Sequence, residues 1–345
     1  MSAGIVSPAF ADLVAAVQAN CNVSDARHAR EMTLCTYLLE MRELFRWEKG
    51  TAQTATLPRA DVGTWLARRE ALWAAIEGEC YRPLPLAGES IDPYDAATVN
   101  RALLPAGLVY GAGIGRFGKP QFFVGELVRD ERRDGVRILV AGREYARDVA
   151  PAPAATRGGT VYVRQDGLRR VLWERAEAWS LKRADGAMRA ALDAHGFAAD
   201  AEEALDRMAA AETETLILHE LGECCAGRLL GPQWEAMLAG LRDRRTETFV
   251  RAARDHLADC LVTLPALVDR DAAASIHFWF ANLDGVRREL APGLRAAYAA
   301  WVSGDGGSAL RAAAEAGAAR WECACAGVLS AHAAGGDVLA PIVPF

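Results

Sequence analysis

The sequence has no long apolar run. Nowhere in its 345 residues is there a stretch near the roughly 20 apolar residues that a membrane helix needs, which excludes a helical span. A basic excess is also missing. Lys and Arg number 39 against 45 Asp and Glu, for a net charge of -6, so no global field draws the chain to nucleic acid. Lysine is scarce, with only Lys49, Lys119 and Lys182. That is a compositional bias toward arginine and carries no mechanism by itself. Cysteine is too thin for a disulfide scaffold. The chain has eight, no C-x-x-C occurs, and the close pairs Cys224-Cys225 and Cys323-Ala324-Cys325 lack zinc-ribbon spacing. Reduced, buried thiols in a cytoplasmic protein are the expectation. The first twenty residues have no basic leading segment, and Asp12 and Gln18 interrupt apolar positions at helical spacing. They are expected to form the first helix of the fold, not a signal peptide.

Apolar residues make up 52% of the chain and charged residues 24%, enough core material for one large domain or two ordinary ones. Three textures follow one another. Residues 1–84 read as an N-terminal helical segment packing on a C-terminal body, residues 85–166 as a β-rich subdomain, and residues 167–345 as a C-terminal helical domain. The expected class is α+β, predominantly α: a helical bundle-like body with a small antiparallel β subdomain inserted. Ser24 or Asp25 is placed to cap a helix running from Ala26 to Glu48. The spacing of Leu34, Tyr37, Leu38, Met41, Leu44 and Phe45 predicts its buried face. Asp134-Gly135, between two β-branched runs, predicts a hairpin turn. Thr246–Val268 and Val286–Val302 each read as one continuous helix.

The string Gly113-Ile-Gly-Arg-Phe-Gly118 matches G-x-G-x-x-G. A dinucleotide fingerprint needs a helix to open straight after it, and here a strand follows. A kinase-type loop needs a lysine in a later Val-Ala-Ile-Lys strand, and no lysine occurs between Lys119 and Lys182. A glycine-rich hairpin or bulge is therefore expected. No G-x-S-x-G is present either.

The segment with most chemistry runs from Glu212 to Glu223, inside a predicted helix. His219 and Glu223 are four apart and share a face, with Glu212 two turns before His219 on nearly that face and Glu214 in the same run. The zinc-protease pattern H-E-x-x-H fails, since Glu223 stands where its second histidine belongs. A second helix offers Asp255 and Asp259, one turn apart. Asp259 has apolar neighbours, so it needs a cation, metal or donor nearby. The N-terminal helix adds His28, Glu40 and Glu43. Diiron bundles draw acids and imidazoles from several helices in this manner. The plain alternative for each is an ion pair with one of the many arginines.

Several strings form a familiar set: Ser24-Asp-Ala-Arg-His-Ala-Arg30, Thr36-Tyr-Leu-Leu-Glu-Met-Arg-Glu43, Arg46-Trp-Glu-Lys49, Arg116-Phe-Gly-Lys-Pro120, Ala141-Gly-Arg-Glu-Tyr-Ala-Arg147, Leu218-His-Glu-Leu-Gly-Glu223 and Ile276-His-Phe-Trp-Phe-Ala-Asn-Leu-Asp284. Over nearly its whole length the chain resembles an uncharacterised bacterial family of unknown function. The resemblance implies a shared architecture and supplies no activity.

Two functional expectations follow. The first is a metal-dependent oxidoreductase or hydrolase holding a divalent ion, iron foremost with zinc or manganese as alternatives, on Glu212, Glu214, His219, Glu223, Asp255, Asp259, His28, Glu40 and Glu43. The second is a non-catalytic binding or scaffold protein whose β subdomain shows a basic surface of Arg116, Lys119, Arg143 and Arg147 to an anionic small molecule or protein. Neither involves nucleic acid or a membrane.

Overall fold

The computed structural model describes residues 10–115 and 118–345. The chain divides into two compact units, Met1–Glu174 and Arg175–Phe345. The class is α+β and predominantly helical.

In the first unit, α1 spans Ala11–His28 and α2 spans Leu34–Lys49. Sequence spacing predicted one helix from Ala26. Instead a 3-10 turn (Ala29–Glu31) separates two helices, and the Thr33 hydroxyl caps α2 by accepting from Thr36 N. Ser24 and Asp25 are not caps. Both are buried inside α1, where their side chains bond the sheet: Ser24 Oγ donates to Pro120 O, and Asp25 Oδ2 accepts from Val149 N at 3.0 Å. The expected inward face of α2 is only half correct. Met41, Leu44 and Phe45 are buried against Trp65 and Trp73 of α3 (Arg59–Ile76), whereas Leu34 and Leu38 are exposed.

After the small hairpin β1–β2 (Leu84–Leu86, Glu89–Ile91) and α4 (Ala96–Leu103), five strands form the main sheet: β3 (Leu108–Ile114), β4 (Pro120–Arg133), β5 (Val136–Arg147), β6 (Ala154–Arg157) and β7 (Thr160–Arg164). Their order is β3-β4-β5-β7-β6, antiparallel except for the parallel β5–β7 pair. Asp134 and Gly135, both at positive φ (50° and 80°), make the predicted turn between β4 and β5. Side chains alternate across the sheet. Tyr110, Phe122, Val124 and Ala146 pack on Leu13, Val17 and Cys21 of α1. Val109, Phe123, Leu139, Ala141 and Tyr162 share the opposite, inner face. That face is curled, because Arg157 of β6, on one edge, lies against Gly113 of β3, on the other.

The helix α5 (Gln165–Ser180) begins in the first unit. The second unit is built on long helices, α7 (Ala201–Leu230) and α14 (Ser308–Ala333), with the shorter α6 (Ala187–Ala194), α8 (Pro232–Gly240), α9 (Arg244–Ala258), α10 (Leu264–Asp269), α11 (Ala273–Ala281), α12 (Gly285–Leu290) and α13 (Pro292–Val302). Asp200 and Asp243 cap α7 and α9. Their core gathers Trp234, Leu257, Leu264, Leu294, Trp321 and Val328. The tail is not extended throughout: residues 338–341 form turns, with Ile342 N donating to Leu339 O, before Phe345 N donates to Leu290 O. Two predicted continuous helices are interrupted. Pro292 opens α13 as a separate helix. Between α9 and α10, Asp259–Thr263 forms a π turn. It lies just before Pro265, which lacks an N–H and would crowd the carbonyl four residues back in a regular helix; the widened turn relieves both.

Gly222 sets the approach of α7 to this turn. A Cβ there would lie 2.4 Å from the Ala258 carbonyl oxygen, whereas one on Gly227 of the same helix meets nothing within 4 Å. The two glycines make a matched test. Gly222→Ala should destabilise the second unit by about 1–3 kcal/mol through overpacking, while Gly227→Ala should stabilise it by about 0.5–1 kcal/mol. Urea unfolding of both variants checks the opposite signs.

Candidate functional site

In the second unit the structure brings together four of the residues singled out from sequence. His219 of α7 donates from Nδ1 to Asp259 Oδ1 at 2.8 Å, and its Nε2 faces Glu223 Oε1 at 3.6 Å. Asp259 Oδ2 accepts from Arg287 of α12. Arg254 of α9 donates to Glu223 Oε1 at 2.7 Å and to Asp255 Oδ1 at 3.3 Å. Three cations thus alternate with three carboxylates. Burial works against a charged imidazole, yet Asp259 and Glu223 outweigh it and hold the His219 pKa well above 6.5. Burial likewise opposes ionisation of Asp259, but His219 and Arg287 keep it below the ordinary carboxylate range. Asp259 and Glu223 thus favour the imidazolium form of His219, which has no lone pair with which to act as a base.

A divalent ion needs converging carboxylate oxygens with free lone pairs. Here both Asp259 oxygens and the near oxygen of Glu223 face N–H donors, and two guanidinium groups fill the surrounding space. Among the described residues no group of three or more His, Cys, Asp or Glu is arranged to hold a metal ion. The donor set does not fit a metal centre.

The remaining residues singled out from sequence stand apart from this cluster. Glu214 accepts from Arg270 at 2.7 Å. Glu212 is buried and meets the Ser275 and Thr215 hydroxyls, with no basic partner among the described residues; burial pushes its carboxyl up to about 7. Residues His28, Glu40 and Glu43 belong to the first unit. There His28 Nδ1 donates to Glu31 at 3.3 Å, Glu40 accepts from Arg170 at 2.9 Å, and Glu43 accepts from Arg42 at 2.8 Å with Arg46 at 3.4 Å. For these, the pairing with arginine or a near neighbour describes the contacts.

Of the four residues expected to form a basic surface on the β subdomain, two turn inward. Arg116 lies outside the described residues. Lys119 and Arg147 are drawn inward into a buried charge cluster, and of the four only Arg143 is seen exposed, 5.8 Å from the Tyr145 ring centre.

That cluster escaped the sequence reading. Lys119 Nζ donates to Asp25 Oδ1 at 2.7 Å, Asp148 Oδ2 at 3.4 Å and Val149 O at 3.0 Å. Arg164 donates from Nε to Glu144 and from Nη1 to Asp148 Oδ1 at 3.3 Å, and its guanidinium sits 4.4 Å from the Phe123 ring centre. Asp166 accepts from Glu144 N at 2.8 Å. Burial, reinforced by a neighbouring carboxylate, pushes Asp25 and Asp166 up to about 6. Asp148, although buried, is held down by Lys119, Arg164 and Arg147.

Beside this cluster, on the inner face of the sheet, lies a cavity of about 10 Å³ lined by Gln121, Phe123, Ala152, Ala155, Arg157, Tyr162 and Arg164. The glycines of β3 and the residue after it make room for its walls. A Cβ on Gly111 would lie 2.1 Å from the Phe123 ring, one on Gly113 2.4 Å from Arg157 Nη1, and one on Gly115 2.7 Å from the Gln121 amide. Glycine at every second position, the strand period, was the signal available in the sequence. The third nitrogen of Arg164, Nη2, is buried with no hydrogen-bond partner among the described residues. Arg157 Nη2 donates to Gln121 Oε1 at 2.7 Å.

The chain therefore has a helical body with a self-neutralised ion network, and an N-terminal unit with a cationic cavity inside a curled sheet. It belongs to the family of unknown function DUF6866, whose N-terminal domain matches residues 12–164 and whose C-terminal domain matches residues 169–342. No curated protein and no solved structure matches it. Among the described residues no helix is long and apolar enough to cross a membrane.

Two outcomes test the electrostatics. Asp259→Asn should cost about 3–5 kcal/mol, because it strands Arg287 and His219, and in any folded fraction the His219 titration read by NMR should move down. Glu212 holds its proton more tightly in the folded state, so stability should fall as pH rises from about 4.5 to about 7. Glu212→Gln should remove this loss, making the variant about 2–3 kcal/mol more stable than the parent at alkaline pH and nearly equal to it at acid pH. Urea midpoints across pH measure the difference.

Proposed function

We propose that this protein works by binding, and that its first unit takes a small anionic ligand inside the curled sheet. One observation carries the reading: Arg164, charged and buried, keeps one N–H group without a partner among the described residues, and its side chain lines a cavity. A buried unsatisfied donor costs about 1–3 kcal/mol, and an anion or a water is what would relieve it. Arg157 supplies a second cationic side chain on the same wall. This keeps the anionic partner expected of a basic β subdomain but moves it from the surface to the interior.

A metal-dependent enzyme, the other expectation, would draw on His219, Glu223, Asp255 and Asp259. The guanidinium groups of Arg254 and Arg287 weigh against it, because they already meet the charge an ion would meet.

Binding to the folded state alone raises the unfolding midpoint. The space holds one water-sized ion, so at constant ionic strength exchanging a bulky anion for chloride should raise the midpoint of the full chain, and Arg164→Gln should remove most of the rise in any folded fraction. A midpoint that ignores anion identity, or responds equally in the variant, defeats the reading.

A further inference from the structure

The enclosed charges of the first unit are unequal in number. Among the described residues the carboxylates of Asp25, Glu144, Asp148 and Asp166 face three enclosed cations, Lys119, Arg147 and Arg164. The imbalance is felt at Glu144. Its Oε1 accepts from Arg164 Nε, but its Oε2 is buried with no hydrogen-bond partner among the described residues, and Arg147 Nε stands 3.6 Å from it. Next to this carboxylate lies Asp166, in the first turn of α5, whose Oδ2 accepts from the backbone N–H of Glu144 at 2.8 Å.

We infer that Asp166 carries a proton and donates it to Glu144 Oε2, forming a pH-sensitive latch between the first turn of α5 and the end of β5. A protonated Asp166 keeps one oxygen on the Glu144 N–H and turns the other into an O–H donor for the oxygen that lacks one. Bonds of the O–H···O⁻ type are among the stronger hydrogen bonds. When the proton leaves to water, two like charges face each other and Glu144 Oε2 has lost its donor. The charged groups around the pair are Arg143 and Arg147 of β5, Asp148 just after it, and Arg164 of β7; Arg169 and Arg170 follow on α5, and Arg170 pairs with Glu40 of α2. Arg164 is shared between Glu144 and Asp148, and Arg143 is exposed. Burial and the Glu144 carboxylate therefore outweigh Arg147, Arg143 and the favourable helix N-terminus, and push Asp166 up to about 6. Asp166 is only half-buried, so water can bring and remove the proton. Because α5 carries the chain out of the first unit, the latch fixes the root of that connection.

Hydrogen exchange of the full chain, read by mass spectrometry over residues 143–170 at about pH 4.5 and about pH 7.5 and corrected for the intrinsic rate, tests the latch. The folded state holds this proton more tightly than the unfolded chain, so protection should fall at least about tenfold from the lower pH to the higher. Asp166→Asn still accepts from the Glu144 N–H and can donate to Oε2 without titrating. It should lose most of the pH dependence and keep the higher protection. Asp166→Ala can do neither and should be poorly protected at both pH values. Asp25 and Glu212 are unchanged in all three chains, so their own titrations cancel in the comparison. Equal protection of the parent at both pH values would overturn the latch. So would a pH dependence undiminished in Asp166→Asn, which would move the proton to Asp25 beside Lys119, or an Asp166→Ala chain as well protected as Asp166→Asn.

Discussion

Charged groups withdrawn from water must find opposite charge, and that requirement organises both units. A lone buried ion costs several kcal/mol, so folded chains keep one only when its partners are fixed around it. In the first unit Lys119 and Arg164 tie α1, the end of β5 and the end of β7 to one another through Asp25, Asp148 and Glu144. In the second, Asp259 ties the π turn to α7 through His219 and to α12 through Arg287. Apolar packing supplies most of the stability. The ion networks fix which elements meet and in what register, since each carboxylate has only a few positions at which its donors are reached.

The two networks differ in one respect that bears on function. In the network around His219 the imidazole lies between Asp259 and Glu223, and the buried N–H groups left without a partner among the described residues are Arg254 Nε and Arg287 Nε. Such a set holds helices together. In the network around Arg164 the N–H without a partner among the described residues belongs to a side chain that lines a small space bounded by aromatic rings and small side chains. Sites that bind tend to be those where the fold leaves a polar group to be satisfied from outside.

Much of the architecture was legible in local patterns. Strand alternation, the Asp134-Gly135 turn and the long periodic helices α7 and α14 appear where the spacing put them. So does the pairing of His219 with Glu223, because residues four apart on a helix share a face. What was not legible is non-local. Asp259 was recognised as needing a partner, but the partner is Arg287, 28 positions away, and nothing in the intervening sequence marks that arginine among so many. Ser24 and Asp25 have the chemistry of helix caps; they are buried side chains because Pro120 O and Val149 N come to them from the sheet. The exposed Leu34 and Leu38 obey helical periodicity without being buried, since periodicity reports a face and not what covers it. Gly111, Gly113 and Gly115 read as a loop motif until the opposing residues Phe123 and Gln121 and the distant Arg157 were placed over them.

The scarcity of lysine takes on meaning once Lys119 is located. Lys49 and Lys182 stand in solvent, while Lys119, the remaining side-chain amine, is shut between Asp25 and Asp148 and held protonated by them. A protonated, enclosed amine does not attack an acylating reagent. Amine labelling of Lys119 is therefore a chemical reporter for the integrity of the first unit's interior: it stays silent while that interior is shut and responds once it opens, with two surface amines in the same chain as internal standards.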